Sequence, residues 1–127
     1  MLVAIEQQPT DKLETYGVIK EHGYTGDHRI HIIDDLVEKP GAREAPSNLV
    51  IAGMFVLLPE IFEAIERTRP RNKDTNDVPI TGALKMLKGP VEADVPPLIA
   101  YEFSGRRYDI DTKQDWYNAI IDFVAKR

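Results

Sequence analysis

The feature that most limits how this chain can fold is the run from Ser47 to Leu58, rich in Val, Ile, Leu and Phe with almost no polar alternation. A strand that alternates can leave one face in water, whereas one this uniformly apolar needs cover on both. The run therefore predicts a central strand inside a layered α/β domain. With 127 residues the chain can build one core but hardly two, so residues 1–127 are expected to form a single domain.

Local signals on either side fill in the order. Leu2 to Glu6 reads as a strand, stopped by the turn-forming residues from Gln7 to Asp11. Tyr16 to Lys20 and Arg29 to Glu38 read as hairpin partners across a polar turn from Glu21 to Asp27, with Lys39-Pro40-Gly41 ending the second. Pro59 and Glu60 suit the first turn of a helix reaching Arg67, with Ile61, Phe62 and Ile65 inward. Arg69 to Asp77 is charged and turn-forming, and predicts an exposed loop. Ile80, Ala83, Leu84 and Leu87 carry helical spacing up to Gly89-Pro90. Pro96-Pro97 restarts the chain as a strand, and Leu98 to Phe103 and Arg106 to Ile110 flank Ser104-Gly105 like a hairpin. Thr112 and Asp115 have capping-box spacing, so a last helix is expected from Lys113 to Ala125 with Trp116, Ala119, Ile120 and Phe123 on one face. The sum is a mixed β-sheet with flanking helices.

Composition removes several classes of function. Twenty-one acidic against sixteen basic side chains, a net charge of -5, argue against nucleic acid as a partner. There is no cysteine, which excludes disulfides, thiolate metal centres and cysteine nucleophiles. No signal peptide and no run of about 18 apolar residues is read, so the expectation is a soluble, cytoplasmic protein with no membrane partner. Nucleophile-elbow, P-loop and dinucleotide-binding motifs are all missing. His28 and His31 have H-x-x-H spacing, but on a strand positions three apart face opposite ways. They are read as ordinary surface histidines.

Chemistry-bearing residues gather instead at predicted strand ends. Glu38 can accept hydrogen bonds from sugar hydroxyls while Lys39 sets a cation against phosphate. Gly17 would let a ligand approach the backbone, and Asp109 offers a hard oxygen suited to Mg2+.

In order, Tyr16-Gly17-Val18-Ile19, Asp35-Leu36-Val37-Glu38-Lys39-Pro40, Glu44-Ala45-Pro46-Ser47-Asn48-Leu49, Leu57-Leu58-Pro59-Glu60-Ile61-Phe62 and Gly105-Arg106-Arg107-Tyr108-Asp109 resemble the C-terminal half of bacterial UTP-glucose-1-phosphate uridylyltransferases, of the sugar-nucleotide pyrophosphorylase family. The D-L-V-E-K-P segment is the most specific. The resemblance implies a partial nucleotidyltransferase-like (Rossmann-like) fold lacking its N-terminal half. It also implies Gly17 and Glu38 at the glucose, Lys39 at the phosphates as the catalytic cation, and Asp109 as a ligand of catalytic Mg2+. Family members begin with a nucleotide-binding half whose glycine-rich loop has no counterpart here. The implied function is thus binding of a sugar phosphate or sugar nucleotide, glucose 1-phosphate or UDP-glucose, without uridylyl transfer by this chain alone. The alternative is a non-catalytic homo-oligomeric or partner-binding protein derived from that family. A homodimer or the missing N-terminal half is the expected partner. Three positions depart from the family pattern: Asp111 stands where a glycine is expected, Gly82 where an Asp is, and Met54 where an Arg is.

Overall fold

A computed structural model describes residues 1–24, 26–68, 77–89 and 98–126. Five strands, β1 (Leu2–Gln7), β2 (Gly17–Tyr24), β3 (Ile30–Glu38), β4 (Leu49–Val56) and β5 (Ile99–Glu102), combine with three helices, α1 (Ile61–Arg67), α2 (Ile80–Leu87) and α3 (Lys113–Ala125). A 3-10 turn over Thr10–Thr15 links β1 to β2.

The mixed sheet with helices is present, and its closure is what sequence order could not indicate. The strands run β1-β4-β2-β3-β5, and β5 then pairs in parallel with β1, Leu2 opposite Ile99 and Ile5 opposite Glu102. The other pairings are antiparallel. Ile5, Ile19, Ile33, Leu36, Leu49 and Ile51 form the main core with Ile61 and Ala64 of α1 and Ala83 and Leu84 of α2. Leu13, Val18 and Val50 form a smaller cluster under the 3-10 turn. Alternation along β4, with Leu49 and Ile51 in one cluster and Val50 in the other, is the period of two that a strand imposes.

Several expectations need correction. The turn read from Glu21 to Asp27 is shorter, because β2 continues to Tyr24 through two register shifts against β3. Only the first half of the 47–58 run is buried. Leu49 to Ala52 are inside, whereas Met54, Val56 and Leu58 are exposed. The pairing with β1 is irregular between Val3 and Ile5, Gly53 opposite it has φ +82°, and the β2–β4 ladder pairs only Val18 with Val50. Phe62 was expected inward on α1 and is 72% exposed, its place in the core taken by Ala64. The hairpin across Ser104-Gly105 does not form. β3 and β1 already occupy both edges of β5, so Arg106 to Ile110 has no free edge to join. Of the loop expected from Arg69 to Asp77 all but the exposed Asp77 lies outside the described residues, as do the breaks at Pro90 and Pro96-Pro97.

α3 begins where its local signal put it. Thr112 Oγ1 accepts from the Asp115 amide at 3.2 Å, and Asp115 Oδ2 accepts from the Thr112 amide at 3.0 Å, a complete capping box. No residue of α3 is buried.

Candidate functional site

The site is built where β2 begins and β3 ends. Gly17 and Glu38 are direct partners in the β2–β3 ladder, so any ligand of one lies beside the other. The chain leaves β3 through Lys39, whose φ is +45° and whose amide donates to the Tyr16 carbonyl at 3.0 Å. A lysine in that region, directly before a proline, is held against its preference at a cost of about 1–2 kcal/mol.

Glu38 turns away from Lys39. Its Oε2 accepts from Thr81 Oγ1 of α2 at 2.8 Å, and Thr81 is buried. A Cβ on Gly17 would lie 2.7 Å from Thr81 Cγ2 and 3.3 Å from Glu38 Oε2. The glycine is therefore required by α2 packing. Beside it, Lys85 of α2 bonds Asp35 at 2.8 Å, and this contact with the Leu36 amide outweighs burial in holding the Asp35 carboxyl below the usual range.

Lys39 and Asp109 meet in a second part of the site, an open cleft of about 500 Å3 also lined by Tyr16, Gly53, Arg107 and Asp111. One end of it is a polar lock. Tyr16 donates its hydroxyl to Asp109 Oδ2 at 2.9 Å, Arg107 Nη1 reaches the same oxygen at 3.2 Å, and Arg107 Nε donates to Glu6 Oε1 at 2.7 Å. The guanidinium also stacks on Tyr16, 4.6 Å from the ring centre. Burial raises the Tyr16 hydroxyl pKa, so it stays protonated and donating. Burial alone would lower that of Arg107, but its bonds to Tyr16 and Glu6 carry it above the ordinary value. Sequence reasoning assigned no role to Tyr16, Arg107 or Thr81. Tyr16 and Arg107 stood inside the quoted Y-G-V and G-x-R-Y-D segments, which was the available signal.

The four predicted residues thus divide into two pairs. Gly17 and Glu38 share a ladder position, and Lys39 and Asp109 share the cleft. As a Mg2+ ligand, Asp109 fits in a limited sense: the bonds from Tyr16 and Arg107 both land on Oδ2 and neither uses Oδ1, and Mg2+ is commonly held by one carboxylate with phosphates and waters. Among the described residues no three His, Asp or Glu side chains converge on a metal position.

His31 departs from its reading as a surface histidine. It is 2% exposed, with Nδ1 2.7 Å from Glu21 Oε2 and Nε2 3.4 Å from Glu102 Oε2, so it ties β2, β3 and β5 together. His28 stays exposed. The departure at Gly82 has a packing cause. A Cβ there would sit 2.6 Å from Thr68 Cγ2, and Thr68 is pinned to the Ala64 carbonyl at 2.7 Å, so α1 and α2 approach too closely for an Asp. Asp111 adds a carboxylate to the cleft, and Met54 is exposed.

An α/β domain with a ligand-sized, charged cleft at its strand ends is the class of protein that fold and site define. The chain belongs to the nucleotidyl transferase family, whose model matches residues 1–92. It is 34% identical to the UTP--glucose-1-phosphate uridylyltransferase of Streptococcus pneumoniae serotype 4 over 98% of this chain and 39% of the relative. Against the enzyme of the same name from Pseudomonas aeruginosa it is 36% identical over 93% of this chain and 39% of the relative. A crystal structure of UDP-glucose pyrophosphorylase complexed with UDP-glucose superposes with a TM-score of 0.79 at 36% identity, covering 99% of this chain and 44% of that one. The apo form of a UDP-glucose pyrophosphorylase gives 0.83 at 35% identity, covering 99% and 43%. The chain therefore spans about two fifths of the length of the relatives it matches. No helix among the described residues is long and apolar enough to cross a membrane.

Proposed function

We propose that this chain is the sugar-binding C-terminal part of a Rossmann-like nucleotidyl transferase fold, and that it binds glucose 1-phosphate or UDP-glucose without transferring a uridylyl group by itself. The observation that carries the reading is the backbone at Glu38-Lys39. Positive φ at Lys39 sends consecutive side chains to different tasks, the carboxylate to the Gly17 side and the ammonium to the cleft. Glu38, held by Thr81, accepts from sugar hydroxyls passing over Gly17. Lys39 opposes the phosphate charge, and Arg107 keeps Asp109 oriented.

Nucleotidyl transferases of this family generally use Mg2+. Bound here, it would neutralise phosphate charge, with Asp109 as its protein ligand. The described residues offer two cleft cations, Lys39 and Arg107, and the second is already committed to Glu6 and Asp109. The chain spans about two fifths of the length of its relatives, so the groups that would stabilise transfer at a triphosphate are assigned to the part it does not match.

Isothermal titration with UDP-glucose, with and without Mg2+, tests it. Saturable binding, tightened by Mg2+ and lost in Lys39→Ala and Glu38→Gln, is the expected result. Gln, which keeps a side-chain oxygen, is chosen over a truncation at position 38 because deleting that acceptor would strand the buried Thr81 hydroxyl and confound binding with stability. No heat at millimolar ligand, or unchanged binding in both variants, would refute the proposal.

A further inference from the structure

α3 is an anomaly among the helices. Trp116, Tyr117, Ile120, Ile121, Phe123 and Val124 fall within about 160° of arc on one face at 3.6 residues per turn, yet all are exposed, with Trp116 at 49% and Phe123 at 66%. An amphipathic helix with an apolar face this wide normally packs that face against a neighbour. Its local start is well made, so it is a formed helix whose apolar face lacks a counterpart among the described residues. With Tyr108 and Ile110 it walls an open apolar groove of about 340 Å3.

Two observations indicate what fills that groove. The superpositions on the two UDP-glucose pyrophosphorylase structures cover 99% of this chain, while 56% and 57% of those longer chains lie outside the match. In addition, Tyr108 lines both the groove and the charged cleft, so whatever seats on α3 also abuts the cleft. We infer that the α3 groove is the docking surface for the part of the nucleotidyl transferase fold that this chain does not match, and that docking there completes the cleft. The occupant is a polypeptide of that family presenting an apolar face, rather than a second copy of this chain. This rests on the proposed family role but not on sugar binding.

Trp116 is the only tryptophan in the chain and reports on the groove directly. The chain is co-expressed with a tagged, tryptophan-free segment of the Streptococcus pneumoniae relative covering the part outside the match. One-to-one co-purification with a blue-shifted Trp116 emission is expected, and Ile120→Asp and Phe123→Asp should each weaken the complex at least about tenfold. Both side chains are exposed in the isolated chain, so its melting temperature should barely change. Absence of the complex, or its survival in both variants, overturns the inference. So does a blue shift that grows with the concentration of this chain alone, which would make a second copy the occupant. The readout needs no sugar: a docked complex that ignores UDP-glucose would leave docking standing and remove the binding proposal, and the converse result would do the reverse.

Discussion

Adding one methyl group at Gly17 tests the packing at the heart of the site. In Gly17→Ala the new Cβ would sit 2.7 Å from Thr81 Cγ2 and 3.1 Å from Ile51 Cδ1. Ile51 can rotate its terminal methyl, but Thr81 is β-branched, buried and held by Glu38 at 2.8 Å. Either α2 moves off the sheet, an overpacking cost of about 1–3 kcal/mol, or Thr81 rotates and gives up a hydrogen bond of about 1 kcal/mol. The expected loss is therefore about 2 kcal/mol. With about 2.1 cal/mol/K of unfolding entropy per residue, 127 residues give a fall in melting temperature of about 7 °C. Urea and thermal unfolding followed by far-UV circular dichroism would measure it. Thr81→Ser is the decisive companion, since it deletes the colliding methyl and keeps the hydroxyl for Glu38. The double variant should recover about 1 kcal/mol relative to the sum of the single changes. A Gly17→Ala protein within about 0.5 kcal/mol of the parent, or strict additivity in the double variant, would refute the argument.

Two further perturbations probe the charged contacts. Because the Asp35 carboxyl is held below its ordinary value, the unfolded chain takes up that proton first as pH falls. Its contribution is thus complete above about pH 5 and is lost on descent through the folded-state pKa. Asp35→Asn should lower the unfolding free energy measured in urea at pH 7 by about 1 kcal/mol or less for a partly exposed pair, and match the parent near pH 2; an equal deficit at both pH values would show that the charge is not responsible. Arg107→Lys should lose most of what Arg107→Ala loses, about 1–3 kcal/mol, because an ammonium cannot both bridge Glu6 to Asp109 and stack on Tyr16. A lysine variant that melts like the parent would show that charge alone suffices.

How much of this could be read beforehand depended on the range of the interaction responsible. α3 begins at Lys113 because Thr112 and Asp115 cap it within three residues, and α2 follows from four apolar positions at helical spacing. The Gly17–Glu38 pairing was within reach because neighbouring strands with compatible patterns tend to form a hairpin. His31 was misread because its burial depends on Glu21 and Glu102, which arrive on two other strands. Phe62 and the outer half of β4 were misread because an apolar residue states a preference for cover without stating whether this chain supplies it.

The sequence by itself determined most of the elements, the capping box of α3 and the types of residue at the strand ends, since these follow from backbone sterics and hydrogen bonds over a few positions. It also carried the motifs that mark nucleotidyl transferase ancestry. Only the tertiary structure decided that β5 closes on β1, that this closure denies Arg106 to Ile110 a partner strand, and that Arg107 instead locks Tyr16, Glu6 and Asp109. The reason is that each strand has just two edges and each helix a limited apolar face. Which segments occupy them is a competition across the whole chain, and no local pattern records its outcome.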